Sequence, residues 1–255
     1  EHPDGLGGNS GALGRNLMDH HFRVGAGGDI PGMLDRYYQG RRPNGVYIPR
    51  FRNLEGPGSD NLGFVRGYGY QGSASRGGWN RGASVPELGG ELKQILRDPG
   101  PWSFNIGSWG ECLPRADNTA LLSEETDQWG IPLLDINCTW GPNEFAMRRD
   151  MAQQAAEMLE AAGCRNVRTY DNHEDGSYGA EPGLCIHEMG TARMGREASS
   201  SVLNGNNQLW ASPNVYVTDG ACMTSSSCVN PSVTYMALTA RAADHAVNEL
   251  KRRNV

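Results

Sequence analysis

Short apolar runs separated by turn-forming residues occupy most of residues 23–140. Val46-Tyr47-Ile48, Leu62-Gly63-Phe64-Val65, Trp102-Ser103-Phe104-Asn105-Ile106 and Leu133-Leu134-Asp135-Ile136 are each bounded by Gly, Pro or Asn. Runs of that length between turn signals predict strands of one antiparallel sheet. Residues 73–90, rich in Gly, Ser and Arg, predict a long surface loop.

From Pro142 the period changes. Met147, Met151, Ala155, Met158, Leu159 and Ala162 recur at three- and four-residue steps, which predicts a helix whose apolar stripe packs on the sheet. Pro142 suits its first turn and Gly163 its C-terminal stop. Residues 165–182 read as a polar connector. Asn214–Thr218 reads as a short strand that ends in Asp219-Gly220. A last helix is expected to open at Pro231 and to bury Val233, Met236, Ala237, Ala240, Val247 and Leu250. It ends in Lys251-Arg252-Arg253, where positive charge complements the helix dipole. The pattern is α+β (α/β overall): an antiparallel sheet with flanking helices, and no internal repeat.

Length and composition narrow this picture. A chain of 255 residues accommodates one large domain or two smaller ones. Its 35 glycines are about twice the usual share of roughly 7%, as expected where backbone must approach a large cofactor closely. The net charge of −6, without a basic run, argues against a nucleic-acid partner. No apolar stretch approaches the roughly 20 residues that span a membrane. Glu1-His2-Pro3-Asp4 carries neither an initiator methionine nor a signal-peptide pattern, so the expectation is a chain that starts mid-gene or after cleavage. Compartment is not read from this. The six cysteines form no Cys-x-x-Cys pair and no metal-ligand spacing with histidine. Each reads as a free thiol, and no metal site is expected.

The chemistry concentrates in Cys185-Ile186-His187-Glu188-Met189-Gly190-Thr191-Ala192-Arg193-Met194-Gly195 and in Asn230-Pro231-Ser232-Val233-Thr234 downstream. His187, in a glycine-rich loop, reads by itself most simply as a structural histidine; an imidazole, which titrates near neutral pH, is also suited to serve as a base. Asn230 before Pro231 has a plain reading as a helix N-cap with proline at the first helical position, and Asp219-Gly220 as a turn. Glu188 and Arg193 read most simply as an ion pair. His20 and His21 are expected to make structural hydrogen bonds, and His2, His173 and His245 to be exposed. Each of the six tryptophans reads as core, with stacking on a sugar as the alternative. The glycine cluster Gly5 to Gly14 follows no apolar strand, so it is read as a loop rather than a pyrophosphate-binding turn.

Together with Gly11-Ala12-Leu13-Gly14-Arg15-Asn16-Leu17-Met18-Asp19-His20 at the start, these segments resemble the C-terminal signature of the glucose–methanol–choline (GMC) oxidoreductases. The resemblance implies oxidation of an alcohol by hydride transfer to FAD, with His187 as base for the hydroxyl proton and Asn230 as its partner across the flavin. Asp219 and Gly220 would contact the ribityl–pyrophosphate part of FAD, and the helix start at Asn230, Pro231 and Ser232 its flavin. It implies a plan of residues 1–22 as lead-in from the FAD domain, 23–182 as substrate-binding domain, and 183–255 as the C-terminal strand and helix of a Rossmann-like FAD domain. The N-terminal part of that domain, with its Gly-x-Gly-x-x-Gly turn, is absent from the chain. The expected partner is therefore an N-terminal FAD-binding segment on a separate or cleaved polypeptide. A sugar or glycoside hydroxyl is the favoured substrate. A sterol or choline-like alcohol, and a catalytically silent carbohydrate- or protein-binding module, are the alternatives.

Overall fold

The computed structural model describes residues 5–36, 45–98, 100–174, 176 and 181–254. The reading of Glu1-His2-Pro3-Asp4 lies outside the described residues. The strands are β1 (Val24–Ile30), β2 (Gly45–Ile48), β3 (Tyr68–Arg76), β4 (Trp102–Gly110), β5 (Thr119–Thr126), β6 (Pro132–Asn137), β7 (Arg165–Asp171), β8 (Gln208–Leu209) and β9 (Ser212–Tyr216). The α-helices are α1 (Gly89–Arg97), α2 (Pro142–Ala161) and α3 (Ser232–Arg252). The chain divides into two compact units. One comprises Phe22–Trp109 and Ala146–Gly179, the other Glu1–His21, Gly110–Phe145 and Ala180–Val255.

In the first of these, five strands form a sheet in the order β2-β3-β4-β1-β7. β1 pairs antiparallel with both β4 and β7, and β2 with β3. The helical stripe behaves as its spacing predicts. Met147, Met151, Ala155 and Leu159 are buried against Val24, Ala26, Tyr68, Tyr70 and Ile106, whereas Met158 is half-buried and Ala162 exposed. Burying side chains of this size stabilises by about 1.5–3 kcal/mol each for the larger ones. Gly163 adopts φ 86°. Its N–H bonds to Glu160 O and that of Cys164 to Leu159 O, the paired closure that a left-handed glycine permits at a helix end.

Polar anchors fix the same helix to the sheet. Tyr68 Oη donates to Asp150 at 2.5 Å, and Arg52 grips the same carboxylate with two bonds of 2.9 Å. The Arg148 guanidinium, 1% exposed, bonds both oxygens of Asp171 at the end of β7 and the Phe22 carbonyl.

Several expectations change here. Leu62–Val65 is a loop rather than a strand, because Asn53 takes up the Phe64 and Arg66 carbonyls with its amide. Residues 73–90 are not one loop: β3 runs to Arg76, a 3-10 helix follows over Trp79–Ser84, and α1 begins at Gly89. The polar connector contains β7, an edge strand whose outward side chains hide the apolar alternation that would mark it. β1, Val-Gly-Ala-Gly-Gly-Asp-Ile, escapes pattern reading because glycine is depleted in strands.

The second unit holds two hairpins, β5–β6 and β8–β9, so Leu133–Ile136 belongs to its own pair rather than to the large sheet. Ala120 donates to Gly14 O, and Arg15 bridges Thr119. Residues 110–145 therefore group with the lead-in, a division different from the expected 23–182 segment. The expected strand near residues 214–218 starts earlier and ends at Tyr216, after which Val217 N–H turns to Asn207 O.

Helix α3 carries the exposed apolar stripe expected of this chain without the N-terminal FAD-binding segment. It packs on its own unit through Tyr235, Leu238 and Ala242, and Ala242 is its one buried residue. The stripe faces out: Val233 is 77% exposed, Met236 71% and Leu250 64%. Periodicity finds the apolar face, but the shallower side with small and aromatic residues is the one its own unit covers. No helix among the described residues is long and apolar enough to cross a membrane.

Removing one member of a buried ion pair strands the other charge. Asp171→Ala is expected to lower the unfolding free energy by about 3–5 kcal/mol in urea denaturation. A loss below about 1 kcal/mol would show that Arg148 is solvated in its absence.

Candidate active site

Three segments that the sequence separates widely run side by side. Met18 and Met189 exchange both backbone bonds, at 2.8 and 2.9 Å, and Gly14 donates to Thr191 O at 2.7 Å. On the other side, Gly190, Ala192 and Met194 donate in turn to Gly220, Ala221 and Cys222. Glycine is required at two of these positions. Gly190 has φ 99°, and a Cβ there would collide with the Asn16 carbonyl; one on Gly220 would collide with the Glu188 carbonyl and the Tyr235 hydroxyl. Strands this close leave room for hydrogen only.

The loop bearing His187 is tied to the lead-in by one carboxylate. Asp19, buried, accepts from Gly183 N (2.8 Å) and Cys185 N (3.3 Å) on Oδ2, and from His20 N (2.7 Å) and His187 N (3.2 Å) on Oδ1. Burial pushes its carboxyl above the usual range, against the pull of these amides. Between the tethered residues Ile186 is forced to φ 62° and turned outward, a conformation unusual for a β-branched residue.

His187 Nδ1 lies 2.9 Å from His20 Nδ1 and 3.3 Å from Cys185 Sγ. Burial, reinforced by the nearby His187, drives His20 down to about 4, so its ring is neutral at neutral pH. One of the two facing nitrogens then donates and the other accepts. His187 opens on a cleft of about 360 Å³ that Glu188, Thr191, Asp219, Gly220 and Tyr235 also line. The Tyr235 hydroxyl is buried without a hydrogen-bond partner, and burial raises it to about 12.

The other expected residues fall as follows. Asp219 caps the 3-10 turn Gly220–Cys222 by accepting from Ala221 N at 2.9 Å, and Gly220 is buried beside Glu188. Pro231, not Asn230, is the N-cap of α3: its αR backbone lets its carbonyl accept the first helical bond, from Tyr235 N. Asn230 and Ser232 are exposed at that helix start, and α3 contributes Tyr235 rather than Asn230 to the cleft wall. Arg193 donates to the Ser200 carbonyl instead of pairing with Glu188. His21 makes the expected structural contact, to Glu111 O. His173 and His245 are half-buried rather than exposed, and His245 Nδ1 lies 3.0 Å from Tyr216 Oη. Trp102 and Trp140 are core, Trp79, Trp129 and Trp210 are exposed, and none lines this cleft. Sequence reading missed Tyr235, which carries no motif, and the pairing of His20 with His187. The Asp19-His20 dipeptide within the lead-in is the one signal for the latter.

Residues 114–239 match the family model of the GMC oxidoreductases. A 2-methyl-1,2-propanediol dehydrogenase from Mycolicibacterium austroafricanum is 31% identical over 96% of this chain and 43% of that protein. The chain belongs to the GMC oxidoreductases. Further GMC relatives include a paromamine 6'-oxidase from Streptomyces fradiae, 27% identical over 99% of this chain and 42% of the relative. The large subunit of a fructose dehydrogenase from Gluconobacter japonicus is also 27% identical, over 98% of this chain and 44% of that one. The chain thus spans less than half the length of these relatives. The cofactor of this GMC family is FAD.

The residues present fit one end of FAD. The Tyr235 hydroxyl is orphaned at the cleft wall, and α3 presents first-turn amides that no side chain caps. An uncapped helix start suits an anion. The glycine cluster near the start folds as turns around a 3-10 helix, Gly8–Ser10, with no strand before it among the described residues.

If Asp19 holds the loop, Asp19→Ala should speed amide exchange at Cys185 and His187 by at least about tenfold, the loss of about 1.5 kcal/mol per charged hydrogen bond. Amides of β1 and β4 should be unaffected. Unchanged exchange at Cys185 and His187 would assign the loop's order to other contacts.

Proposed function

We propose that this chain supplies the proton-accepting and substrate-facing part of an FAD-dependent alcohol oxidoreductase. The observation that carries the reading is His187, held at the cleft of Asp219-Gly220 with its Nδ1 against the neutral ring of His20. When His187 donates Nδ1–H to the His20 lone pair, its Nε2 has a free lone pair for the alcohol proton. A neighbour that selects the tautomer of a base in this way is a recurring catalytic device. Bound FAD would take the hydride from the carbinol carbon.

Asn230 is assigned as donor to the substrate oxygen as charge develops there, a task an amide performs without competing for the proton. Asp219 and Gly220 are assigned to the ribityl–pyrophosphate stretch of the cofactor, and Pro231 and Ser232, through the start of α3, to the flavin. Pro231 has no N–H, so Ser232 gives the first amide. The substrate assigned is a carbohydrate alcohol. The paromamine oxidase and the fructose dehydrogenase bear sugar-like substrates in their names, while the propanediol dehydrogenase does not.

The outward apolar face of α3, with Val233, Met236, Val247 and Leu250 exposed, supports a partner surface. The segment assigned to it carries the Gly-x-Gly-x-x-Gly unit, on a separate or cleaved polypeptide or elsewhere in a longer one.

In the FAD-loaded enzyme, His187→Ala is expected to slow flavin reduction by the alcohol at least about 10²-fold, the lower bound for a general base. Flavin content should change little; reduction at the wild-type rate would remove His187 from the mechanism. The 255-residue chain by itself is expected to bind FAD poorly and to self-associate in sedimentation runs. A monomer that binds FAD with submicromolar affinity would overturn the need for the other segment.

A further inference from the structure

We infer that His20, Cys185 and His187 form a binding site for a thiophilic divalent cation of the zinc type. Among the described residues these are the one group whose histidine, cysteine or acidic donor atoms gather this closely, all within 4.8 Å of one another. The Nδ1 atoms of the two imidazoles are 2.9 Å apart, and Cys185 Sγ is 3.3 Å from that of His187. Tetrahedral zinc, at about 2.0–2.1 Å from nitrogen and about 2.3 Å from sulfur, spaces its donors by roughly 3.3–3.6 Å. The two spacings to His187 Nδ1 are within a few tenths of an ångström of this, and the third, between His20 and Cys185, is within 4.8 Å.

The site is also built in advance. Asp19 accepts the backbone N–H of each of the three ligand residues, so one carboxylate sets their spacing before any cation arrives. Glu188 and Asp19 together line an adjacent pocket, and their charge favours a cation there. Cys185 and His187 are half-buried, which leaves a fourth position for water. One thiolate and two imidazoles with an exchangeable fourth ligand is a set that zinc takes readily, whereas calcium and magnesium prefer oxygen. On binding, the Cys185 thiol releases its proton to solvent as the metal–sulfur bond forms, and no electrons move. The sequence reading expected no metal because His20 and His187 are 167 residues apart and only the fold joins them.

Occupancy has a chemical consequence. With the cation on Nδ1 of His187, the ring hydrogen resides on Nε2, and that nitrogen has no lone pair for an alcohol proton. The cation is an off-switch for the base. That consequence rests on the proposed role of His187; the binding does not.

Titrating the reduced full chain with CoCl2 under nitrogen separates the two. The expected result is a thiolate-to-cobalt charge-transfer absorption that saturates near one ion per chain and is displaced by ZnCl2. Cys185→Ser should abolish the band, Cys164→Ser should leave it, and His20→Gln should weaken binding at least about tenfold. A readout on the unaltered protein guards against a variant that misfolds. ZnCl2 should slow alkylation of Cys185 by iodoacetamide at least about tenfold, with Cys164 unaffected, by peptide mass spectrometry. No band, a band that survives Cys185→Ser, or unprotected Cys185 would overturn the site, whatever His187→Ala does to flavin reduction.

Discussion

The Asp19 carboxylate is the constraint on which the candidate site depends. Four backbone N–H groups, from His20, Gly183, Cys185 and His187, converge on its two oxygens in a buried position. A buried carboxylate without such partners would be strongly disfavoured. With them, it gathers two chain segments more than 160 residues apart and sets the face on which His187 meets His20. The strained backbone at Ile186 follows from the same tether, since successive amides can reach one carboxylate only if the chain between them curls.

Close backbone approach does the rest. The lead-in, the His187 loop and the Asp219-Gly220 turn lie edge to edge because Gly190 and Gly220 carry no side chain. This is why the site combines a paired histidine, a capped turn and a cleft without drawing on a long regular element. Helix α3 borders the cleft through Tyr235, one turn inside its start. The sheet unit is held differently, by a methionine-rich stripe of α2 and by buried charge pairs at Asp150 and Asp171. Those two carboxylates leave few alternative registers for the helix, because a slip would leave a guanidinium unpaired in the interior.

The outward face of α3 connects fold to assembly. A 21-residue helix with one buried residue and several large apolar ones exposed has more hydrophobic surface than its own unit covers. Under the proposed function, that surface is where the FAD-binding segment would seat.

The sequence by itself determined what local chemistry controls. Helix α2 follows from a four-residue methionine and alanine spacing with a glycine stop, and the strands at residues 45–48 and 102–110 from short apolar runs between turn residues. The family and its FAD follow from side-chain types in fixed local order. Tertiary structure alone decided the remainder. β1 and β7 are strands because neighbours supply their hydrogen bonds, although one is glycine-rich and the other polar. α3 turned its less apolar side inward because the burial of a helix face depends on what lies beside it, not on hydrophobicity alone. Asp19, His20 and Cys185 joined His187 through contacts across most of the chain, and Tyr235 joined the cleft through the packing of α3. A periodic pattern records which side chains share a face; it carries no information about which distant residue will meet that face.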